Sequence, residues 1–333
     1  MKLLAPLRRR PFDWRGRGGP PEPTRGPVDV IVPVYGCAGC VEELHERVTR
    51  ALQTVSDRYE LILVDDRSPD GAWDRLRALA VADPSVRSIR LSRNFGQHAA
   101  ITAGLAESRG RWAVVMDCDL EEQPEDIPRL YAKAQEGFDI VLARRKTRHH
   151  SWLRQQAART YFRLMNLFLK TDIDGEYGTF SLVSRKVVDS YLSIQDKGRH
   201  YLFILYWLGY KHASIDIEQA PRKNEKSSYT FTSLVRHAVD GVFFQTTVLL
   251  RWIVYLGFLV ALLGLGLTVT LVLLGILGSP PPGWTSLAVL LLIVGGFIIM
   301  STGVTGLYIG KIFEQVKGRP LYVVDETVER ETK

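Results

Sequence analysis

The sequence contains few cysteines and lacks the signatures of several common enzyme classes. Its 333 residues include three cysteines. No G-x-G-x-x-G follows the first predicted strand and no G-x-x-x-x-G-K-[S/T] occurs, which argues against a dinucleotide-dependent dehydrogenase and a P-loop ATPase. The formal net charge is +7, but no nucleic-acid-binding motif accompanies it, so we expect no nucleic-acid partner.

The cysteine pattern favours neither a redox site nor a zinc site. Cys37 and Cys40 have the spacing of a redox motif and follow a predicted strand, but the surrounding chain does not otherwise look like a thioredoxin. Zinc would need two further ligands, and Cys118 is the one remaining thiol. We expect the thiols of a cytoplasmic domain to be reduced.

Charged residues are absent from Trp252 to Gly310, a stretch of 59 residues. This length accommodates two membrane spans of about 20–25 residues each, and residues 278–283 (GSPPPG) supply a turn between them. The pattern predicts a transmembrane hairpin over residues 248–311.

Basic residues beside this hairpin predict its orientation. Arg251 precedes the first span, Lys311, Lys317 and Arg319 follow the second, and the turn has no Lys or Arg. Basic flanks stay in the cytoplasm, so we expect an inner (plasma) membrane protein whose globular part and termini are cytoplasmic. Residues 1–27, rich in Arg, Pro and Gly, lack the apolar region of a signal peptide and are predicted to be a disordered basic arm.

Strand and helix signals alternate through the first half of the chain. Predicted strands are 28–34, 60–64, 86–91, 112–116 and 139–143, and predicted helices are 41–55, 72–82, 97–108 and 124–135. This alternation predicts an α/β fold with a mostly parallel sheet, in which ligands bind beyond the carboxyl ends of the strands. The later part is less regular, with predicted strands at 179–183 and 215–217, helices at 185–193 and 201–209, and an interfacial helix over 226–247.

Two predicted strands end in acidic residues. The run Val114-Val115-Met116 leads into Asp117-Cys118-Asp119, and Val64 leads into Asp65-Asp66. Residues two apart on an extended chain point the same way, and paired carboxylates suit Mg²⁺ or Mn²⁺. The alternative is an acidic surface turn. Because both clusters fall at the same edge of the predicted sheet, we expect them to form one cleft.

A basic segment follows the predicted strand at 139–143. Residues 140–171 contain no acid and eight basic residues. A helix from about residue 151 would have an apolar face and a basic face, which favours contact with anionic lipid headgroups. The alternative is a helix that packs on its own domain with a solvated basic face.

Several short motifs occur together in one order along residues 28–324. They are Val32-Pro33-Val34-Tyr35, Val64-Asp65-Asp66-Arg67-Ser68-Pro69-Asp70-Gly71, Asn94-Phe95-Gly96, Asp117-Cys118-Asp119-Leu120 with Pro124-Glu125, Ser184-Arg185-Lys186-Val187-Val188 and Lys317-Gly318-Arg319-Pro320-Leu321-Tyr322. In this order they resemble the inverting glycosyltransferases of family 2 with the GT-A fold. More narrowly, the chain is similar to the polyprenyl-phosphate glycosyltransferases, relatives of dolichol-phosphate mannose synthase.

The resemblance implies a domain organisation and an activity. A GT-A (Rossmann-like) domain over 28–225 would precede the interfacial helix over 226–247, the hairpin over 248–311 and a cytoplasmic tail over 312–333. The implied reaction is inverting, metal-dependent transfer of one sugar from a UDP- or GDP-linked nucleotide sugar to an undecaprenyl-type polyprenyl phosphate. Its product would donate sugar to cell-envelope glycans or glycolipids.

The resemblance also implies roles for individual residues. The nucleotide site would contain Pro33, Tyr35, Asp65, Asp66, Asp117 and Cys118. The metal, Mg²⁺ or Mn²⁺, would bind Asp117 and Asp119. The lipid phosphate would face Arg144, Arg145, Arg148, Arg222, Ser227, Ser228 and Tyr229. The catalytic candidates are Asp119 and Glu121.

The chain departs from the family pattern at three positions. Cys37 stands where relatives often have Glu, Glu121 stands where they have Gln, and Thr179 stands where some have the Asp proposed as a base. A phosphate monoester has a second pKa of about 6, so at neutral pH it is largely a dianion. It can attack the anomeric carbon of the sugar without losing a proton to the protein. We therefore expect Asp119 and the metal to dominate catalysis, with Glu121 or Glu176 auxiliary.

Two other functions are possible interpretations of the same sequence. A processive polysaccharide synthase usually carries Gln-x-x-Arg-Trp, but here Val248 occupies the Gln position before Arg251-Trp252. A membrane-tethered scaffold with an inactive transferase fold would not need the intact Asp117 and Asp119. The glycines of the second span allow close helix packing, either within the hairpin or in a homo-oligomer.

Overall fold

A single sheet organises the part of the chain that the computed structural model describes, residues 28–145, 177–218, 220, 248–276 and 283–330. The order of its strands is β7-β5-β6-β4-β1-β2-β3-β8. The strands are β1 (Val28–Val34), β2 (Tyr59–Asp65), β3 (Val86–Leu91), β4 (Trp112–Val115), β5 (Ile140–Arg145), β6 (Tyr177–Ser184), β7 (His212–Ile217) and β8 (Val324–Glu329). The helices are α1 (Val41–Gln53), α2 (Ala72–Ala82), α3 (Gln97–Glu107), α4 (Ile127–Gln135), α5 (Arg185–Ser193), α6 (Tyr201–Leu208), α7 (Val248–Ile276) and α8 (Trp284–Val316).

The predicted mostly parallel α/β sheet is confirmed. Strands β3, β2, β1 and β4 run parallel to one another, and β5 runs parallel to β7. Strand β6 lies antiparallel between β4 and β5, and β8 lies antiparallel along β3. The chain therefore brings the carboxyl ends of β4 and β5 to the amino end of β6, at one edge of the sheet.

Both faces of the central strands are buried. All seven residues of β1 are buried, as expected of a near-continuous apolar run in a parallel sheet covered on both faces. Helices α1, α2 and α4 cover one face through Leu44, Leu76 and Leu130. Helices α3, α5 and α6 cover the other face, and full burial of each large apolar side chain contributes about 1.5–3 kcal/mol.

Helix α3 packs closely on β1 because it carries Gly104 at the contact. A Cβ at this position would overlap Cγ2 of Ile31 and would lie 3.2 Å from Cγ2 of Val64. The close packing fixes the position of α3, whose first residue, Gln97, lies at the carboxyl edge of the sheet.

One segment of the described residues, Val294–Val316 in α8, is long and apolar enough to cross a membrane, and none of it is buried in the protein. Helix α7 has no charged residue after Arg251. Because one such segment is found, the predicted two-span hairpin is not confirmed and stays a prediction. The basic arm, the predicted basic helix and the interfacial helix lie outside the described residues.

The predicted cytoplasmic tail contains a strand of the sheet, which the sequence interpretation did not anticipate. Strand β8 pairs along β3, and the Ser92 N–H donates to the Val323 carbonyl at 2.9 Å. An exposed ion pair joins Arg67 and Asp325 at 2.8 Å. The chain beyond α8 therefore returns to the globular domain and covers the outer edge of β3.

Candidate active site

The loops that follow β1 and β2 are joined by hydrogen bonds. The Gly36 N–H donates to Ser68 Oγ at 2.6 Å, and the Ala38 N–H donates to Asp70 Oδ2 at 2.8 Å. Gly36 has a φ of 73°, a left-handed conformation that glycine adopts without steric cost. These bonds hold the two loops together at the carboxyl edge.

A disulfide between Cys37 and Cys118 joins the loops after β1 and β4. The expectation of reduced thiols is therefore wrong for these two residues. Their Cα atoms are 6.3 Å apart, because β1 and β4 are neighbours in the sheet and end at the same edge. Cys40 is buried and is not part of the disulfide, so the C-x-x-C spacing does not define the pair.

Asp65 and Asp66 are buried and bind backbone groups of nearby loops. Asp65 accepts the Ser68 N–H at 2.9 Å, and Asp66 accepts the N–H groups of Phe95 and Gly96 at 2.7 and 2.8 Å. Burial raises the pKa of both carboxyl groups, and these hydrogen bonds oppose the rise. Both residues organise the cleft, and a contact to the nucleotide stays a prediction.

The other predicted nucleotide-site residues near β1 differ in exposure. Pro33 is buried within β1, whereas the Tyr35 side chain just after the strand is 48% exposed. The aromatic ring is therefore accessible beside the cleft.

Asp117 lies where β4, β6 and α3 meet. It is half-buried, and its Oδ1 accepts hydrogen bonds from Gln97 Nε2 at 2.6 Å and Thr179 Oγ1 at 2.8 Å. The register that pairs Val115 with Ser181 brings Thr179 opposite Asp117. Desolvation raises the pKa of Asp117, the charge of Asp119 raises it further, and the Thr179 hydrogen bond lowers it. Sequence reasoning did not place Gln97 here, although this residue directly follows the Asn94-Phe95-Gly96 motif.

A tight turn carries Asp119 and Glu121. Leu120 has a φ of 60°, and the Glu121 N–H donates to Asp119 Oδ1 at 3.2 Å. The Glu121 carbonyl accepts the Ala220 N–H at 3.0 Å. Both acidic side chains are half-buried, so the turn presents two carboxylates at the cleft beside Asp117.

Glu122 is a site residue that sequence reasoning missed, because the resemblance selected Glu121. Its side chain is 1% exposed, and Oε1 lies 2.9 Å from Nη2 of Arg145. Burial raises the pKa of Glu122, the charge of Asp117 raises it further, and Arg145 opposes the rise. The interaction links the end of β5 to the turn after β4.

The predicted lipid-phosphate residues fall in three places. Arg145 enters the cleft, whereas Arg144 Nε pairs with Asp216 Oδ1 of β7 at 2.8 Å. The remaining candidates for lipid-phosphate binding lie outside the described residues: Arg148, Arg222, Ser227, Ser228 and Tyr229. The auxiliary candidate Glu176 also lies outside them.

The carboxylates at the end of β4 fit a divalent cation that also binds a substrate. Among the described residues, no group of three or more His, Cys, Asp or Glu side chains is arranged to hold a metal. Asp117 and Asp119 repel each other, and Asp117 also repels Glu122. A divalent cation would relieve this repulsion, and Mg²⁺ is usually held by one or two carboxylates together with substrate phosphates.

The comparisons with known proteins identify the family. Residues 29–192 match the model of glycosyl transferase family 2. The uncharacterized glycosyltransferase sll0501 of Synechocystis sp. is 32% identical over 301 residues, 90% of this chain and 95% of that protein. The uncharacterized glycosyltransferase YkcC of Bacillus subtilis is 32% identical over 306 residues, 91% of this chain and 95% of that protein.

Among solved structures, the chain is similar to glucosyl-3-phosphoglycerate synthase from Mycobacterium tuberculosis in complex with Mn²⁺, UDP and phosphoglyceric acid. The two chains are 17% identical, the match covers 66% of this chain and 76% of that chain, and the TM-score is 0.49. The family match and the relatives show that the chain belongs to glycosyl transferase family 2, the glycosyltransferases with the GT-A fold.

Proposed function

We propose that this glycosyltransferase transfers one sugar from a nucleotide sugar to a polyprenyl phosphate at the cytoplasmic face of a membrane, with inversion of the anomeric centre. The observation that carries the proposal is that Asp117 and Asp119 follow the end of β4 while Arg145 ends β5, and that Arg145 contacts Glu122 of the turn after β4 at 2.9 Å, all at one edge of the sheet. This arrangement combines an anionic cation site with a cation that suits phosphate, in a chain that also has an apolar 23-residue helical segment.

The donor end of the reaction would lie over Asp117 and Asp119. These residues would hold Mg²⁺ or Mn²⁺, which would neutralise the charge that develops on the leaving nucleoside diphosphate. Tyr35 would lie beside the nucleotide, and the buried Asp65 and Asp66 would keep the neighbouring loops in place.

The acceptor end requires no strong protein base. A lipid phosphate dianion would form a bond from its oxygen to the anomeric carbon as the bond from that carbon to the diphosphate oxygen breaks. The electron pair leaves with the nucleoside diphosphate, and no proton has to move. The protein contributes alignment, which is consistent with Thr179 in place of a carboxylate beside Asp117.

A membrane location for the acceptor is supported by the apolar segment of α8. Helix α8 would anchor the domain, and α7 would form the second span of the predicted hairpin. A lipid phosphate at the cytoplasmic surface would then reach Arg145, together with the predicted contacts from Arg148, Arg222 and Tyr229. Arg is suited to such phosphates because its guanidinium can donate two parallel hydrogen bonds.

A reconstitution experiment tests the proposal. The full chain in vesicles is supplied with undecaprenyl phosphate and a panel of labelled UDP- and GDP-sugars, with Mn²⁺, with Mg²⁺ or with EDTA. We expect a lipid-linked product from one donor, carrying one sugar, that is lost with EDTA and in Asp117→Asn and Asp119→Asn. Asp189→Asn is the matched control, because Asp189 forms an exposed pair with Arg185 at 3.0 Å away from the cleft.

Three results would contradict the proposal. Product formation that is unchanged by EDTA would show that the reaction does not depend on a metal. Transfer to a water-soluble acceptor alone would show that the acceptor is not a lipid. Products that carry many sugars would instead identify a processive synthase.

A further inference from the structure

Arg145, Glu122 and Gly178 form a tightly packed unit next to Asp117. The side chain of Arg145 is 19% exposed, and its Nη2 contacts Oε1 of the almost completely buried Glu122 at 2.9 Å. A Cβ on Gly178 would lie 2.6 Å from Arg145 Nη2 and 2.7 Å from Glu122 Oε1. An added methyl group at this position would therefore have to displace the pair.

Arg145 lies within the field of several carboxylates, of which Glu122 is the direct partner. Burial alone would lower the pKa of Arg145, but Glu122, Asp117 and Glu121 together raise it. Arg145 Nε is buried and has no hydrogen-bond partner within the described part of the chain. The guanidinium therefore has one buried N–H donor without an acceptor, and its one ion-pair partner among the described residues is Glu122.

Asp117 is the carboxylate whose charge acts on Arg145 next after that of Glu122. Charge-assisted Arg–carboxylate bonds are among the strongest hydrogen bonds in proteins. A direct pair between Arg145 and Asp117 would cancel the negative charge that attracts a divalent cation. In the observed arrangement Arg145 pairs with Glu122 and acts on Asp117 through its charge alone, while Asp119 repels Asp117.

We propose that Glu122 is a positioning residue that keeps Arg145 from forming a direct ion pair with Asp117, which reserves the Asp117 carboxylate for the divalent cation. The inference rests on the metal site of the proposed function. It predicts that loss of the contact between Glu122 and Arg145 weakens metal binding, although Glu122 is not itself a ligand.

Binding of Mn²⁺ tests this role without any acceptor. The full chain in detergent is titrated with Mn²⁺ in the presence of UDP or of GDP, and free Mn²⁺ is measured by electron paramagnetic resonance. We expect Glu122→Gln to weaken Mn²⁺ binding by about tenfold, in the range found when residues behind metal ligands are removed. In an Arg145→Gln background, Glu122→Gln should have no further effect, because contacting residues that act as one unit are not additive.

A second variant covers the case in which Glu122→Gln does not fold. Gly178→Ala keeps both charges but displaces the pair, so it should weaken Mn²⁺ binding in the same direction. Glu136→Gln is the matched control, since Glu136 pairs with Lys133 at 2.7 Å on the surface and should leave binding unchanged. Folding of each variant is checked by circular dichroism.

The outcomes separate this role from the proposed function. If wild type binds Mn²⁺ and the folded Glu122→Gln and Gly178→Ala variants bind it equally well, the positioning role is overturned while the metal site stands. Additive losses in the double variant also overturn the role. If wild type binds no Mn²⁺ with either nucleotide, the proposed metal site itself is overturned.

Discussion

Thr179 donates a hydrogen bond from Oγ1 to Oδ1 of Asp117 across 2.8 Å. The resemblance to polyprenyl-phosphate glycosyltransferases implies that some relatives have an acid at this position. In this chain Thr179 instead stabilises the charged form of Asp117 through its hydrogen bond. The two residues lie opposite each other because Val115 of β4 pairs with Ser181 of β6. The neighbouring strand therefore contributes to the site through a neutral donor.

Loss of this donor should impair the reaction without unfolding the protein. We expect Thr179→Val to lower kcat/KM by about 10- to 100-fold, because a hydrogen bond to a charged group is worth about 1.5–3 kcal/mol. Thr179→Ser should retain most of the activity. Steady-state kinetics on the active donor measures both. Thr54→Val is the control, since Thr54 bonds the Ala51 carbonyl at the end of α1; an equal loss in the control would contradict the assignment.

The acid limb of the pH profile should lie above the usual titration range of aspartate. Burial raises the pKa of Asp65, Asp66 and Asp117. A raised pKa means that each carboxylate becomes neutral at a higher pH. As the pH is lowered, activity should therefore already be lost above the ordinary aspartate pKa of about 3.9. A cation binds the charged form, so increasing Mn²⁺ should move the limb to lower pH. A limb that does not respond to Mn²⁺ would contradict the metal role of Asp117.

The disulfide should be found between Cys37 and Cys118. Peptide mapping of unreduced protein is expected to recover this pair, with Cys40 outside it. Its loss in Cys118→Ser should lower the free energy of unfolding by about 2–5 kcal/mol, because the bond closes a long loop. Thermal unfolding with and without reductant measures the effect. Recovery of a pair between Cys37 and Cys40 would contradict the arrangement of the two loops.

Gly104→Ala should destabilise the domain. The added methyl group would overlap Ile31, at a cost of about 1–3 kcal/mol for overpacking, which exceeds the gain in helix propensity of about 1 kcal/mol. Chemical denaturation measures the difference. Gly39→Ala is the control because a Cβ there meets nothing within 4 Å. Equal stability of the two variants would mean that α3 does not pack on β1 as described.

Much of the fold follows from local pattern, and the exceptions have physical causes. The run VDVIVPV of β1 is apolar and ends where loop residues begin, so its boundaries were predicted as observed. Strand β8 was not predicted because its sequence, VDETVE, is polar and exposed. It exists through its pairing with β3, which the local sequence does not encode.

The candidate active site also contains some residues that the sequence predicts and others that only tertiary packing adds. The rule that ligands bind at the carboxyl ends of parallel strands was enough to place Asp65, Asp66 and Asp117 at one edge. Gln97 and Glu122 join them through tertiary packing, Gln97 because Gly104 lets α3 approach β1, and Glu122 because β5 brings Arg145 beside it. No spacing in the sequence distinguishes Glu122 from Glu121.

The most direct test of the central claim compares two acceptors that differ by one group. The full chain in nanodiscs is given its active labelled nucleotide sugar and Mn²⁺, with either undecaprenyl phosphate or undecaprenol, and lipid products are measured by mass spectrometry. The account predicts one added sugar on undecaprenyl phosphate, none on undecaprenol and none with Asp119→Asn. Equal transfer to both lipids, or full activity of Asp119→Asn, would contradict it.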